Sequence, residues 1–323
     1  MSLIEVTLAI EIGGTHTTFG LVDKDGNCYV ESRISTKANE SPESLFDRLF
    51  NKFNRIYREN SDKYELLGIG IGAPGANYYK GTIEYSSNLN WCYVNIVDLA
   101  KKYYNLPTVI TNDANAAALG EMKFGVAKGM KNFIQLTLNK GFGSGIVVDG
   151  NIVYGNDGFA GELGHTIVEK NGRSCGCGRK GCLETYVSTS GLLRTFYELI
   201  SQLNEVSVLK EFPPEEVTAK LIYNAAQNGD KLAITTFEIT GKILGEALAN
   251  AVAFLNPQAI ILSEGLAMAG DLLVVPTKYN MEKNMLNLFK GKVEILLSGL
   301  TKGNVAILGA SALIWHEIQK MNK

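Results

Sequence analysis

The sequence predicts an α/β fold built from two similar halves. The chain has 323 residues, which is enough for about two domains. Hydrophobic residues make up 46% of it, so buried cores can form. One pattern also occurs twice: a strand, a glycine turn, a strand, an Asp-Gly-Asn turn and a third strand. The tripeptide stands at Asp25-Gly26-Asn27 and again at Asp149-Gly150-Asn151.

The first copy of the pattern occupies the N-terminal part of the chain. Apolar runs and alternation predict strands over 6–12, 17–22 and 28–34, with the glycine turn at Gly13-Gly14-Thr15. A helix is predicted next, because Ser41 is a favourable N-cap and Pro42 suits the first helical position. One face of this helix is apolar at helical spacing and carries Phe46, Leu49, Phe50, Phe53, Ile56 and Tyr57.

The second copy begins with a strand predicted over 133–138. Its glycine turn is Gly141-Phe142-Gly143-Ser144-Gly145, and the next strands are predicted over 146–148 and 152–154. The remaining predicted elements are strands over 67–71, 108–110 and 259–262 and helices over 114–121, 192–200, 215–227, 231–255 and 311–319. Glycine turns let backbone N–H groups approach phosphate oxygens closely. We therefore expect both halves to aim these turns into a cleft that suits a polyphosphate.

Charge and hydropathy exclude several classes of protein. The chain has 31 Lys and Arg against 33 Asp and Glu, a net charge of −2, so no positive field favours a nucleic-acid backbone. No apolar run reaches the ~18 residues of a membrane-spanning helix. The first residues, Met1 to Glu5, lack the basic region of a signal peptide. The expected protein is cytoplasmic and binds neither nucleic acid nor membranes.

Asn112 and Asp113 are the first candidate site residues. They follow a predicted strand and precede a helix, where α/β proteins place ligand-binding groups. Asp is also a favoured helix N-cap, so a purely structural role for Asp113 stays open at this point.

A histidine and three cysteines form the second candidate. Cys175, Cys177 and Cys182 stand in a glycine-rich loop downstream of His165, and together they match the ligands of a tetrahedral structural zinc. The alternative is a flexible loop with reduced surface thiols. Four protein ligands leave no open position, so the metal would shape the loop rather than catalyse. It would thereby hold Glu162 and Glu184 near one point, and carboxylates with an amide such as Asn112 suit a polyhydroxylated ligand.

At these residues the chain resembles the ROK sugar kinases (repressor, open reading frame, kinase) of the actin/hexokinase-like superfamily, and among them the bacterial glucokinases. The resemblance runs essentially end to end. Its motifs are Ile12-Gly13-Gly14-Thr15, Gly70-Ile71-Gly72-Ala73-Pro74-Gly75, Asn88-Leu89-Asn90-Trp91, Asn112-Asp113-Ala114-Asn115-Ala116-Ala117, Gly161-Glu162-Leu163-Gly164-His165 and the stretch from Cys175 to Glu184.

The resemblance implies two actin-like (ribonuclease H-like) α/β domains around an interdomain cleft. The smaller domain would comprise 1–112 with the C-terminal helix at about 306–323, and the larger would comprise 113–305 with the zinc loop. The implied reaction is ATP-dependent phosphorylation of a hexose at its 6-hydroxyl, here glucose to glucose 6-phosphate, as in glycolysis. The implied enzyme is a phosphotransferase with an alcohol acceptor, and a homodimer or homotetramer.

The same resemblance implies roles for individual residues. Asp113 would be the general base. The sugar would be held by Asn112, Asp113, Glu162, His165 and Glu184. The zinc ligands would be His165, through its other ring nitrogen, and Cys175, Cys177 and Cys182. The phosphates of ATP would be flanked by Gly13, Gly14, Thr15, Gly141, Gly143 and Gly265, with Mg²⁺ offsetting their charge and Glu11 reaching Mg²⁺ through water.

Three positions on the nucleotide side depart from the family pattern. Glu11 stands where the family usually has Asp, and Asn139-Lys140-Gly141 stands where Gly-Thr-Gly is usual. Ser263-Glu264 precede Gly265 where a Gly-Gly pair usually follows the late strand. A carboxylate near a polyphosphate opposes binding unless it points away from it.

Three alternatives remain beside the glucokinase hypothesis. A repressor would need a DNA-binding segment ahead of the turn at Gly13, where we expect no room for one. A sugar-binding homologue with impaired ATP use would fit the nucleotide-side departures. A kinase for N-acetylmannosamine, N-acetylglucosamine, mannose or fructose, or one using another phosphate donor, would share the same motifs.

Overall fold

The computed structural model describes residues 3–86, 89–203, 205–300 and 305–321. Asn88 of the motif named above lies outside the described residues. The strands are β1 (Ile4–Ile12), β2 (His16–Asp23), β3 (Cys28–Ser35), β4 (Tyr64–Gly72), β5 (Ala76–Asn77), β6 (Thr82–Glu84), β7 (Tyr93–Asn95), β8 (Thr108–Thr111), β9 (Phe133–Leu138), β10 (Phe142–Val148), β11 (Asn151–Ile152), β12 (Ala259–Ser263) and β13 (Glu294–Leu297). The α-helices are α1 (Pro42–Arg58), α2 (Ile96–Lys101), α3 (Asp113–Phe124), α4 (Thr189–Gln202), α5 (Ala219–Gln227), α6 (Lys231–Leu255), α7 (Asp271–Asn284) and α8 (Val305–Met321).

The first large sheet has the strand order β3-β2-β1-β4-β8. β1 and β2 pair antiparallel, whereas β1 with β4 and β4 with β8 are parallel. Successive side chains of a strand point to opposite faces. Leu8 and Ile10 of β1 accordingly pack in the core that contains the apolar face of α1, while Ala9 packs with residues of α8. Helix α1 begins as predicted, with the Ser41 hydroxyl accepting a hydrogen bond from the Ser44 N–H.

The second large sheet repeats the plan of the first, in the order β11-β10-β9-β12-β13. β9 and β10 pair antiparallel, and β12 is parallel to both β9 and β13. Its core joins Leu136 and Leu138 of β9 to Phe196 of α4 and Leu244 of α6. The predicted repetition of one α/β plan is thus confirmed by the strand order of both sheets.

The second glycine turn is shorter than predicted. β10 already begins at Phe142, and Gly143 and Gly145 lie in the antiparallel ladder opposite Thr137 and Gln135. The prediction of a turn across 141–145 was therefore wrong. Strand propensity depends strongly on context, and here the pairing with β9 outweighs the low strand propensity of glycine.

Helix α7 was not predicted, because Pro276 lies inside it and proline opposes a helix interior. Its close packing on α6 accounts for it. A Cβ at Gly241 of α6 would lie 2.7 Å from the Pro276 Cγ, and a Cβ at Gly245 would lie 2.4 Å from the Thr277 carbonyl oxygen. Glycines on α6 thus let the two helices approach closely. No helix within the described ranges has both the length and the apolar character needed to cross a membrane.

The chain divides into two compact units. One comprises Met1–Met130, Ile152–Ala160 and Ser298–Lys323, and the other Lys131–Asn151 and Gly161–Leu297. These units differ from the predicted domains, which place residue 113 and the rest of α3 in the second domain. In the structure α3 packs against α8, where a Cβ at Gly120 would lie 3.2 Å from the Gly309 Cα. The compact units are defined by contacts within the chain and do not test the predicted domains, 1–112 with about 306–323 and 113–305, which stay a prediction.

Candidate functional site

The predicted metal ligands converge in the second unit. The ligand atoms of His165, Cys175, Cys177 and Cys182 all lie within 4.8 Å of one another. The Cys175 Sγ lies 3.7 Å from the His165 Nδ1, and the Cys177 Sγ lies 3.6 Å from the Cys182 Sγ. Zn–S bonds of about 2.3 Å in a tetrahedron place the ligand atoms roughly 3.8 Å apart. The donor set and its spacing are therefore compatible with a structural zinc ion.

The three thiols differ in their tendency to ionise. The backbone N–H of Arg179 is the main cause that lowers the pKa of Cys177 to about 6, whereas burial raises the pKa of Cys175 to about 12. Burial also raises the pKa of Cys182. Because zinc binds thiolates, a cation in this cluster would have to deprotonate the two thiols whose pKa is raised.

Arg173 fastens the cysteine loop to α4. Its guanidinium donates to the Thr185 carbonyl at 2.7 Å and pairs with both carboxylate oxygens of Glu198. It also stacks over the Tyr186 ring, with 4.4 Å between the guanidinium carbon and the ring centroid. Its side chain is only 7% exposed. Such a planar, multiply bonded contact fixes the loop more rigidly than a lysine would.

Glu162 and His165 are positioned by β10. The Ser144 hydroxyl donates to the Gly161 carbonyl and accepts the Leu163 N–H at 3.1 Å. Gly161 has φ +96, which favours glycine. The turn places the His165 Nε2 3.9 Å from a Glu162 carboxylate oxygen, while the Nδ1 of the same ring faces the cysteines. One ring nitrogen thus faces the metal cluster and the other a carboxylate.

Glu184 lies between the cysteine loop and the start of β10. Its Oε2 accepts the Phe142 N–H at 2.9 Å, and its Oε1 lies 3.6 Å from the Cys175 Sγ. A Cβ at Gly141 would lie 2.9 Å from the same Oε2 atom, so the glycine leaves room for the carboxylate. The structure therefore brings Glu162, His165 and Glu184 of the predicted sugar set to the metal cluster.

Asn112 and Asp113 lie in the first unit, where β8 leads into α3. Asn112 is the N-cap, since its Oδ1 accepts the Ala114 N–H at 2.8 Å. The Asp113 Oδ1 also accepts this N–H. Because Asn112 caps the helix, Asp113 is not needed as the cap.

The Asp113 carboxyl combines exposure with a crowded surrounding. The residue is exposed to solvent, yet desolvation by the surrounding protein raises its pKa. Protein atoms fill much of the space around the carboxyl, although the residue remains accessible to solvent. A carboxylate with a raised pKa is a better proton acceptor than an ordinary one.

The turn Gly13-Gly14-Thr15 joins β1 to β2 beside a recess of about 420 Å³. A Cβ at Gly13 would lie 2.9 Å from the His16 carbonyl oxygen, so the turn requires glycine. The recess is lined by Glu11, Gly13, Thr15, His16, Thr18, Glu31 and Arg33. His16, Thr18, Glu31 and Arg33 were missed from the sequence. The register of the two predicted hairpins could have indicated these residues. It places Thr18 opposite Glu11 and Arg33 opposite Thr18, so all three lie side by side on the sheet.

Two of the departures from the family pattern meet in the structure. The Asn139 amide donates a hydrogen bond to the Glu264 carboxylate. Glu264 has φ 60 and ψ 175, a region that glycine adopts readily and that costs other residues about 1–3 kcal/mol. A Cβ at Gly265 would lie only 2.0 Å from the Leu138 carbonyl oxygen. Residues 264 and 265 therefore lie directly against the end of β9.

Comparison with known proteins identifies the family. The family model described as "ROK family" matches residues 7–317. This chain belongs to the ROK family. The glucokinase of Halalkalibacterium halodurans is 32% identical to this ROK protein over 321 residues, 98% of this chain and 97% of the relative. The xylose repressor of Caldicellulosiruptor bescii is 29% identical over 311 residues, 95% of this chain and 77% of the repressor.

Solved structures show the same two kinds of relative. A ROK family glucokinase from Streptomyces griseus, in complex with glucose and AMPPNP, matches with a TM-score of 0.78 at 28% identity and covers 95% of this chain and 98% of that one. A ROK family transcriptional regulator, a homologue of the E. coli MLC protein, matches with a TM-score of 0.85 at 25% identity and covers 96% of this chain and 78% of the regulator. The predicted family and the predicted actin-like two-domain fold are confirmed.

Proposed function

We propose that this ROK protein is an ATP-dependent hexose kinase that converts glucose to glucose 6-phosphate. The observation that carries the proposal is the His-Cys cluster with Glu162 and Glu184 beside it, in a chain that also begins α3 with Asp113. The similarity to a glucokinase over nearly the whole chain supports glucose and ATP as substrates. The proposal includes a cytoplasmic enzyme of glycolysis that assembles as a dimer or tetramer.

The sugar contacts follow from donor and acceptor chemistry. Glu162 and Glu184 accept hydrogen bonds from sugar hydroxyls, and the His165 Nε2 serves a further hydroxyl. Asn112 uses its oxygen as a helix cap, but its amide nitrogen carries two hydrogens that can bind a sugar oxygen. The proposal assigns these residues and Asp113 to one substrate.

Zinc has a structural part in the proposal. His165, Cys175, Cys177 and Cys182 would hold it, and four protein ligands leave no position for a reacting group. When bound, the ion supplies the cross-link that fixes His165 and Glu184 in the cysteine loop. No chemical step passes through it.

Asp113 accepts the proton of the 6-hydroxyl. As this O–H bond breaks, the sugar oxygen forms a bond to the γ-phosphorus, and the bond from that phosphorus to ADP breaks with its electrons going to ADP. Positioning and charge stabilisation supply most of the rate in such transfers. The raised pKa of Asp113 favours its role as base.

The donor phosphates are assigned to the glycine turns. Backbone N–H groups around Gly13, Gly14 and Thr15 bind them in the first unit, and those around Gly141, Gly143 and Gly265 in the second. Glu11 would hold Mg²⁺ through water, and the ion would supply positive charge to offset that of the phosphates. The recess beside Gly13 supports this assignment, because its lining residues include Glu11 together with Thr15, Thr18 and Arg33.

A coupled assay that follows ADP release from Mg·ATP with a panel of hexoses tests the function. We expect glucose to be phosphorylated, and Asp113→Asn to lower kcat by about 10²–10⁴ because the base is lost. Glucose binding, measured by calorimetry, should stay within about twofold, since the amide keeps the side-chain size. Glu238→Gln, on an exposed part of α6, is the matched control and should retain full activity. Turnover by Asp113→Asn at the unmutated rate would remove Asp113 from the mechanism.

The panel also decides among the substrates. N-acetylmannosamine, N-acetylglucosamine, mannose and fructose belong in it, because a change in one pocket contact alters selectivity by only about 10–200-fold. A higher kcat/KM for one of these sugars than for glucose would replace glucose in the proposal.

A sugar-responsive regulator is the second candidate, because the chain also matches repressors over 95–96% of its own length. Calorimetry with the same sugars, without nucleotide, separates the two. The regulator, or a homologue with impaired ATP use, would be favoured by two results together. The unmutated protein would bind glucose, and its turnover would be no higher than that of Asp113→Asn. Sequence-specific retardation of DNA by the purified chain would favour the regulator alone.

A further inference from the structure

Asn139 and Glu264 occupy equivalent places on neighbouring parallel strands. β9 and β12 pair in parallel, with Thr137 opposite Ser263. Asn139 is the first residue after β9, and Glu264 is the first after β12. Both therefore stand at the carboxyl ends of parallel strands, the edge at which open α/β sheets bind their ligands.

The position of the Glu264 carboxylate is well defined. Asn139 is fixed through its backbone, since its carbonyl accepts the Thr189 N–H at 2.8 Å and the Thr189 hydroxyl at 3.2 Å. Its amide in turn donates to the Glu264 carboxylate. Glu264 is only partly exposed, and its side chain stands on a backbone conformation that favours glycine. Glycine would adopt this backbone without strain, so the carboxylate stands at a position whose conformation disfavours any side chain.

We propose that Glu264, held by Asn139, is a specificity-determining residue that selects nucleotides over bare polyphosphates as the phosphoryl donor. This inference rests on the proposed kinase function. Asn139 and Gly141 both lie in the short connection between β9 and β10, so the carboxylate lies next to the backbone assigned to the donor phosphates.

The chemistry of the carboxylate gives the direction of the selection. A carboxylate accepts hydrogen bonds from hydroxyl groups, and the ribose of a nucleotide presents two neighbouring hydroxyls. The same charge repels phosphate oxygens. A donor that presents a ribose to Glu264 is therefore favoured, and a chain of phosphates that extends to this position is disfavoured.

The test compares Mg·ATP with Mg·tripolyphosphate as donors for the same sugar. For Glu264→Gln we expect the KM for ATP to rise about tenfold, as for the loss of one hydrogen bond to a charged group. The KM for tripolyphosphate should fall, and kcat with each donor and the KM for the sugar should stay within about twofold, because the interaction is one of binding and not of the transition state. A role limited to folding would change both donors alike.

Three further variants sharpen the test. Glu238→Gln, which removes the same charge from α6, should leave the ratio of the two kcat/KM values unchanged. Asn139→Ala should shift the ratio in the same direction as Glu264→Gln but less, because the carboxylate remains and only its fixing partner is lost. Glu264→Gly should shift the ratio as much as Glu264→Gln does, and it should raise the melting temperature because the backbone strain is relieved. This variant provides the test if Glu264→Gln does not fold. An unchanged ratio in Glu264→Gln and Glu264→Gly, with sugar phosphorylation intact, overturns the inference.

Direct donor binding separates this inference from the proposed function. If no sugar is phosphorylated, the kinase proposal fails, and calorimetry with Mg·AMPPNP and Mg·tripolyphosphate still decides the role of Glu264. A preference for AMPPNP that Glu264→Gln abolishes supports the inference. Equal affinity of the unmutated protein for the two compounds overturns it.

Discussion

Removal of one cysteine ligand tests whether the metal cluster organises the sugar site. Cys177 is the most suitable target, because it is exposed and its Sγ lies 3.6 Å from the Cys182 Sγ. Cys177→Ala therefore removes one of the four ligands without opening a cavity in the core. We expect the variant to lose zinc and to bind glucose more weakly.

The expected loss of affinity follows from the contacts of His165 and Glu184. Without the metal, the His165 ring loses the partner on its Nδ1 side that fixes its orientation. Glu184 keeps the Phe142 N–H at 2.9 Å and therefore keeps most of its position. The loss should thus correspond to about one hydrogen bond with a charged group, about 1.5–3 kcal/mol, which raises the Kd for glucose about 10- to 150-fold.

Elemental analysis by mass spectrometry and calorimetry with glucose measure the two effects. Cys28→Ala and Cys92→Ala are matched controls, since both thiols are exposed and neither belongs to the cluster. They should retain zinc and glucose affinity. The reasoning is refuted if the unmutated protein contains no zinc, or if Cys177→Ala loses the metal and binds glucose as tightly as before.

Two further predictions concern the first unit. Gly70→Ala places a Cβ 1.9 Å from the Ala310 carbonyl of α8, whereas Gly72→Ala on the same face meets only the Ala116 Cβ at an ordinary 3.5 Å. Overpacking of this kind costs about 1–3 kcal/mol. Thermal unfolding should therefore show a melting temperature about 2–12 °C lower for Gly70→Ala and little change for Gly72→Ala. Equal melting temperatures for the two variants would contradict the packing argument. Because desolvation by the surrounding protein raises the Asp113 pKa, the stability that this group contributes is complete below its ordinary value of 3.8. It is lost as the pH rises through the folded-state pKa. The melting temperature of Asp113→Asn relative to the unmutated protein should therefore rise between pH 4 and pH 7, and a difference independent of pH would show that the carboxyl is not desolvated.

Features encoded by short stretches of sequence were predicted well. Helix α1 starts at Pro42 with Ser41 as its cap, and α6 has the predicted bounds, because caps and apolar periodicity act over a few residues. The convergence of His165 with the three cysteines was also predicted, since these residues span only 165–182 and their types suit a metal. For the same reason, the repeat of strands and turns predicted two similar sheets.

Features that depend on distant contacts were missed. Arg173 reaches Glu198, and Asn139 meets Glu264 across 125 positions of the sequence. Spacing alone gave no signal for either pair. The sequence predicts a turn at Gly143, whereas the structure has a strand there. Pairing with β9 stabilises this strand, and local composition does not reveal that pairing.

Glu184 links the cysteine loop to the start of β10, and under the proposed function this links the zinc loop to both the sugar and the donor phosphates. One of its carboxylate oxygens lies 3.6 Å from the Cys175 Sγ, and the other accepts the N–H of Phe142, the first residue of β10. Gly141 leaves the space for this carboxylate, since a Cβ there would lie 2.9 Å from the Oε2 atom. Under the proposed function, a shift of the cysteine loop would therefore move a sugar-binding carboxylate and the backbone assigned to the donor phosphates together. Phosphoryl transfer depends mainly on positioning, so in the proposed kinase one loop that sets both groups would affect the rate strongly although it takes no part in the chemical step.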